Sequence, residues 1–114
     1  MTSVCADVTS EWGATTLDVD AILKALSNPL RRQILRWLKE PAVHFPDQTL
    51  SLEHGVCASS IDARCAVSQS TVSAHLKMMQ GAGLVISTRI GQWIFFSRNE
   101  AVIRAFLNQL NVSL

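Results

Sequence analysis

Six residues within nine positions, Gln69, Ser70, Thr71, Ser73, His75 and Lys77, bring three hydroxyls, a carboxamide, an imidazole and one ammonium together without an acid. All are hydrogen-bonding groups, and most can donate. Wound as a helix at about 100° per residue, Val72, Leu76 and Met79 fall within about 60° of one another as a buried stripe. Ser70, Ser73, Ala74 and Lys77 then fall on the opposite side. A solvated helix face usually carries long charged side chains; this one is short. Short side chains let a backbone approach another surface, and a duplex major groove, about 12 Å wide, accepts such a helix. There Gln69 would pair with adenine, while Ser70, Thr71 and Ser73 would reach phosphates or base edges and Lys77 the backbone. His75 lies at the edge of the stripe and reads first as a packed, hydrogen-bonded residue that can also touch a phosphate. Arg89 and Gln92 stand near the tip of a hairpin, where a minor groove or phosphate would lie.

The elements that must hold these residues follow from periodicity and capping. Residues 17–26 carry Val19, Ile22, Leu23 and Leu26 at helical spacing. Ser27 or Asn28 can cap a second helix over 29–39, with Pro29 in its first turn and Leu30, Ile34, Leu35 and Leu38 as its stripe. Residues 40–55 read as an irregular loop, long enough to carry a function or a short strand. A third helix is expected over 56–64, with Val56, Ile61 and Cys65 inward. A tight turn at Ala66-Val67-Ser68 leads to a fourth helix over 69–81, capped by Ser68 and stopped at Gly81-Ala82-Gly83. Strands at 85–90 and 93–97 flank Gly91-Gln92 as a hairpin. Asn99 caps a last helix bearing Val102, Ile103, Phe106, Leu107 and Leu110. The fold class is therefore mainly α with a β-hairpin: a winged helix-turn-helix of four helices, two strands and a fifth helix, over residues 17–114. Residues 1–16 have little periodicity and read as a flexible N-terminal arm.

At 114 residues the chain suffices for one domain. Its 48% hydrophobic and 17% charged content is globular. No apolar run reaches the roughly 20 residues of a membrane span, and no secretory signal is legible, so no membrane partner and a cytoplasmic location are expected. The net charge of +1 says little about nucleic acid, but its distribution says more. Residues 1–20 hold four acids and no base; residues 63–99 hold Arg64, Lys77, Arg89 and Arg98 and no acid. There is no glycine-rich phosphate loop, carboxylate pair or nucleophile–base set, which argues against an enzyme. The competing reading is a winged helix used only for protein contacts.

Several segments together resemble the ArsR/SmtB repressor family. Leu26-Ser27-Asn28-Pro29-Leu30-Arg31-Arg32-Gln33-Ile34-Leu35 resembles the opening of its second helix. Ser68-Gln69-Ser70-Thr71-Val72-Ser73-Ala74-His75-Leu76-Lys77 is similar to its recognition helix. Gly81-Ala82-Gly83-Leu84-Val85 and Arg89-Ile90-Gly91-Gln92 resemble its wing entry and tip. Ala66 departs from the glycine common in the turn. The resemblance spans residues 19–110 apart from the 40–55 loop. It implies a homodimer through the first and last helices, bound to a two-fold symmetric double-stranded operator and released by an effector. The apolar residues of those two helices exceed what one small core needs, which supports a dimer independently.

A sensor site is harder to read. Aligned on Ser68-Gln69, the family's Cys-x-Cys pair falls on Cys57 and Ser59, with Val56 in place of a leucine, so half of that motif is present. The family's Asp and His ligands on the last helix are missing. Three cysteines, Cys5, Cys57 and Cys65, read as free thiols rather than a disulfide framework. Cys57 and Cys65 lie eight residues apart, about 12 Å along a helix, too far for one ion with bonds of about 2.3 Å. Cys65 stands where the family has a leucine and reads as a small core residue. Cys57 at a helix start, with Cys5 from the arm and His54 as a third donor, is the candidate site for a thiophilic metal or metalloid ion, or for a disulfide. The alternative is that no cofactor binds. His44 reads as structural or solvated.

Overall fold

The computed structural model describes residues 17–114; the arm and Cys5 lie outside them. Helix α1 is Val19–Leu26, and Asp18 accepts a hydrogen bond from the Ala21 N–H at 3.0 Å to begin it. Helix α2, Pro29–Lys39, starts where the Asn28 carboxamide oxygen accepts from the N–H groups of Leu30 and Arg31, at 2.9 and 3.1 Å. Pro29 occupies the first turn, where its missing N–H is not needed.

The segment read as an irregular loop is more ordered than its composition suggests. A short helix α3, Pro41–His44, follows α2 directly. Phe45 behind it is buried and meets Trp37 edge to face, with ring centroids 6.3 Å apart. The Arg64 guanidinium lies 4.9 Å from the Trp37 ring centre and 5.8 Å from that of Phe45, and donates to the His44 carbonyl at 3.1 Å. Gln48 closes the rest. Its carboxamide oxygen accepts from the Cys57 N–H (2.8 Å) and the Ser60 hydroxyl (3.1 Å), and its nitrogen donates to the Leu50 carbonyl (3.1 Å). After a single 3-10 turn, Leu52–His54, Gly55 adopts φ 111° as the chain passes Phe96. A Cβ there would collide with the Phe96 carbonyl, so the approach requires glycine.

The third helix starts later than periodicity suggests. Val56 and Cys57 form a strand, β1, and helix α4 is Ala58–Arg64. Helix α5, Gln69–Gly81, begins with Ser68 Oγ accepting from the Thr71 N–H at 3.3 Å. It ends at Ala82, followed by Gly83 with φ 84°. The Gly83 N–H donates to Gln80 and the Leu84 N–H to Met79, which together satisfy carbonyls of the last turn. Strands β2, Val85–Ile90, and β3, Trp93–Arg98, pair antiparallel with Ile90 opposite Trp93, so Gly91 and Gln92 form the turn. The sheet is three-stranded in the order β1-β3-β2, with Val56 opposite Phe96 and Cys57 opposite Phe95. Helix α6, Glu100–Ser113, is capped by the Asn99 carboxamide accepting from the Val102 N–H.

One core joins these elements. Ile22, Ile34, Ile61, Val72, Met79, Leu84 and Val56 are its fully buried centre. Every helix except α3 contributes to it, so the orientation of α5 is fixed by packing rather than by its own propensity. The layout is the expected winged helix-turn-helix, with β1 as an added edge strand and α3 as an added helix.

Candidate nucleic-acid interface

Val72, Leu76 and Met79 are buried on α5, and Gln69, Ser70, Thr71, Ser73, Ala74 and Lys77 are all exposed. The division follows the spacing of the sequence. At the start of the helix the hydroxyls organise one another: Ser68 Oγ lies 2.8 Å from Thr71 Oγ1 and 3.2 Å from Ser70 Oγ. Three hydroxyls and the carboxamide of Gln69 therefore cluster at the end of the helix where backbone N–H groups are unpaired and the dipole is positive.

His75 differs from its neighbours in being half-buried. Its Nδ1 lies 3.0 Å from Nη1 of Arg31 on α2. Burial, and then the Arg31 charge, hold the imidazole below its ordinary range, so it is neutral at physiological pH. The wing places Gln92 in the turn and Arg89 shortly before it, both exposed. Helix and wing are tied directly by Gln80 Nε2 donating to Ser87 Oγ at 3.1 Å.

The four bases counted over residues 63–99 do not act as one patch. Arg64 is occupied by the Trp37 and Phe45 rings and the His44 carbonyl. Arg98 forms a two-pronged pair with Glu100, at 2.7 and 3.1 Å. Lys77 and Arg89 remain as exposed cations on the α5–wing side.

A family model for bacterial regulatory proteins of the arsR family matches residues 53–87, the stretch from the 3-10 turn through α5 into β2. The HTH-type transcriptional regulator YbzH of Bacillus subtilis is 43% identical over 84 residues, covering 72% of this chain and 84% of YbzH. The chain belongs to the ArsR family. The transcriptional repressor SdpR of the same bacterium is 31% identical over 87 residues, 76% of this chain and 82% of SdpR. An ArsR-like transcriptional regulator from Rhodococcus sp. RHA1 superposes with a TM-score of 0.62 at 26% identity, covering 82% of this chain and 76% of that one. The chain is thus a winged-helix transcriptional regulator of this family, and its relatives point to regulation rather than to enzyme chemistry. Among the described residues, no helix is long and apolar enough to cross a membrane.

In this ArsR-family chain the two described cysteines stand at opposite ends of α4, Cys57 before it and Cys65 after it. Cys57 is buried within β1, and its sulfur lies 3.3 Å from Ser59 Oγ. The position aligned with the family's second cysteine therefore touches the first, with oxygen in place of sulfur. His54, read as a third donor, is exposed, pairs with Glu53 at 3.5 Å and leans on the Phe95 ring 6.0 Å away. Cys65 is half-buried against the core; burial pushes its thiol up, and the Asp62 charge acts in the same direction. Among the described residues, no three His, Cys, Asp or Glu side chains are grouped to hold a metal ion.

Sequence reasoning missed Arg31, Gln48 and Phe45 as organising residues. Arg31 lies outside the stripe of Leu30, Ile34, Leu35 and Leu38, and only its tertiary partner on α5 reveals its place. The signal that could have found Phe45 is that it is the only Phe, Trp or Tyr between residues 40 and 55.

Proposed function

We propose that this protein is a homodimeric repressor that seats α5 in the major groove of a two-fold symmetric operator and lays its wing on the flanking backbone. The observation that carries this reading is the exposed row of Ser70, Ser73, Ala74 and Lys77 opposite a fully buried stripe. A close approach to a duplex needs short side chains, and this row has them. Repression is supported by the likeness to SdpR, a transcriptional repressor. Dimerisation is supported by Leu23 on α1 and by Leu107 and Val112 on α6, which are 45%, 57% and 76% exposed on the two terminal helices. A second copy would remove these from water.

The test is a mobility shift on the DNA upstream of the protein's own gene. Affinity should fall about a thousandfold or more between roughly 50 and 200 mM salt, because the protein displaces counterions from phosphates. A salt-indifferent association would favour protein contact through an apolar face. For release, we propose a thiophilic ion acting at Cys57, the cysteine aligned with the first of the family's Cys-x-Cys pair, with Cys5 as the second thiol. Arsenite, zinc, cadmium, copper and peroxide added in turn should include one that frees the DNA, and C57S should abolish that release. Release that survives in C57S places the sensor elsewhere.

A further inference from the structure

Arg31 is the most fully engaged side chain on the α5 side of the molecule. Its Nε donates to the Ala25 carbonyl at 2.7 Å and its Nη2 to the Lys24 carbonyl at 3.4 Å. Its Nη1 faces Nδ1 of His75 at 3.0 Å. The backbone N–H of the same residue is held by Asn28. The guanidinium is thus clamped at the C-terminal end of α1, where the dipole is negative. From there it reaches across to a ring on α5. Every nitrogen of a guanidinium donates and none accepts, and the group keeps its proton in proteins. Nδ1 must therefore be the acceptor. In a neutral imidazole the remaining proton then sits on Nε2. The orientation and tautomer of a ring one helical turn from Thr71 and half a turn from Lys77 follow from a residue on another helix.

We propose that Arg31 is a positioning residue for the DNA-facing helix: it fixes His75 in the Nε2–H form so that α5 presents a neutral ring N–H as a hydrogen-bond donor to the duplex. This rests on the reading of α5 as the helix that enters the groove. It adds a contact independent of Lys77 and Arg89, one that carries no charge. A neutral donor to a phosphate oxygen releases no counterion, so it strengthens binding without steepening the salt dependence. Lysine cannot take the place of Arg31. A single ammonium on a flexible stem cannot hold two carbonyls and a ring nitrogen in one plane.

The tautomer is read without any variant, by long-range ¹H–¹⁵N correlation of the histidine rings at about pH 7.5, above the ordinary histidine value. The His75 ring should show a protonated Nε2 and an unprotonated Nδ1. A Nδ1–H ring, or an average of the two forms, overturns the proposal. R31K should keep the fold by circular dichroism, lose the fixed tautomer, and bind the duplex about tenfold more weakly with the same salt slope. H75A should lose a similar factor, and the R31K/H75A double variant should lose no more than the worse single one. Additive losses, or wild-type affinity in folded R31K, overturn it. A wild-type protein that binds no duplex overturns the groove reading as well. Salt-dependent binding that is unchanged in H75A overturns this proposal alone.

Discussion

Ser73 is the smallest change from which the interface can be judged. It is exposed in the middle of the outward row, and its neighbours on the helix surface, Ser70 and Lys77, are exposed too. S73E should leave the thermal unfolding midpoint near that of the wild type and weaken duplex binding about a hundredfold or more, because it sets a carboxylate against phosphates. Retained binding would mean that another surface meets the DNA. His75 gives a pH dependence with a definite sign. Its folded value lies below the ordinary 6.5, through burial and then Arg31. The unfolded chain therefore takes up the proton first as pH falls. The stability linked to this ring is complete above about 6.5 and is lost as pH drops through the lower folded value. Glu100 acts with the same sign further down. Its hydrogen bond to Arg98 holds its carboxyl below 4.5, so its contribution is lost on acidification through that lower value. The fall in urea midpoint between about pH 7.5 and 5 should be smaller in H75Q than in the wild type; an equal change in the two proteins would contradict the geometry around Arg31.

At the level of elements, α2, α5, β2 and α6 were legible because each carries both a period and a stop. Asn28-Pro29, Ser68, Gly83 and Asn99 are local signals that act before any tertiary contact forms. The 40–55 segment was not legible, and the reason is physical. Its order comes from Phe45 against Trp37, Arg64 over both rings, and Gln48 reaching Cys57 and Ser60, all of them contacts across the fold. Strand β1 is only two residues long, too short for an alternation to appear, so Val56 and Cys57 were absorbed into the following helix. The outward row of α5 was legible for the opposite reason, since a stripe fixes its own reverse face. Gly55 tests how much this segment matters. G55A imposes a left-handed φ on an alanine and drives its methyl into the Phe96 carbonyl. It should cost more than about 1 kcal/mol in chemical denaturation and displace β1 from β3. An unaltered midpoint would mean that the loop gives way without the sheet.

For the whole molecule, the sequence offered an excess of apolar side chains and the fold leaves part of that excess at the surface. Leu23, Leu107 and Val112 stay exposed on the first and last helices while Ile22, Val102 and Phe106 go inward. L107E puts a charge where a second copy would pack. It should shift sedimentation from dimer to monomer and lower operator affinity with it, since each half-site would then be bound alone. A variant that sediments as the wild type would move the dimer contact off α6. Charge is the one property for which counting residues misled. Of the four bases between residues 63 and 99, Arg98 is paired with Glu100 and Arg64 is held over the Trp37 and Phe45 rings, so the bases do not form the single patch that their count suggests.

The stop that ends α5 has a mechanical consequence. Three residues, Ala82, Gly83 and Leu84, turn the chain from helix to β2, both flanks are anchored in one core, and Gln80 grips Ser87 across the corner. Helix and hairpin are thereby set like the two points of a fixed caliper. If α5 and the wing meet DNA together, as proposed, lengthening the corner by a single residue would misalign the two points on any stretch of DNA that the native gauge fits.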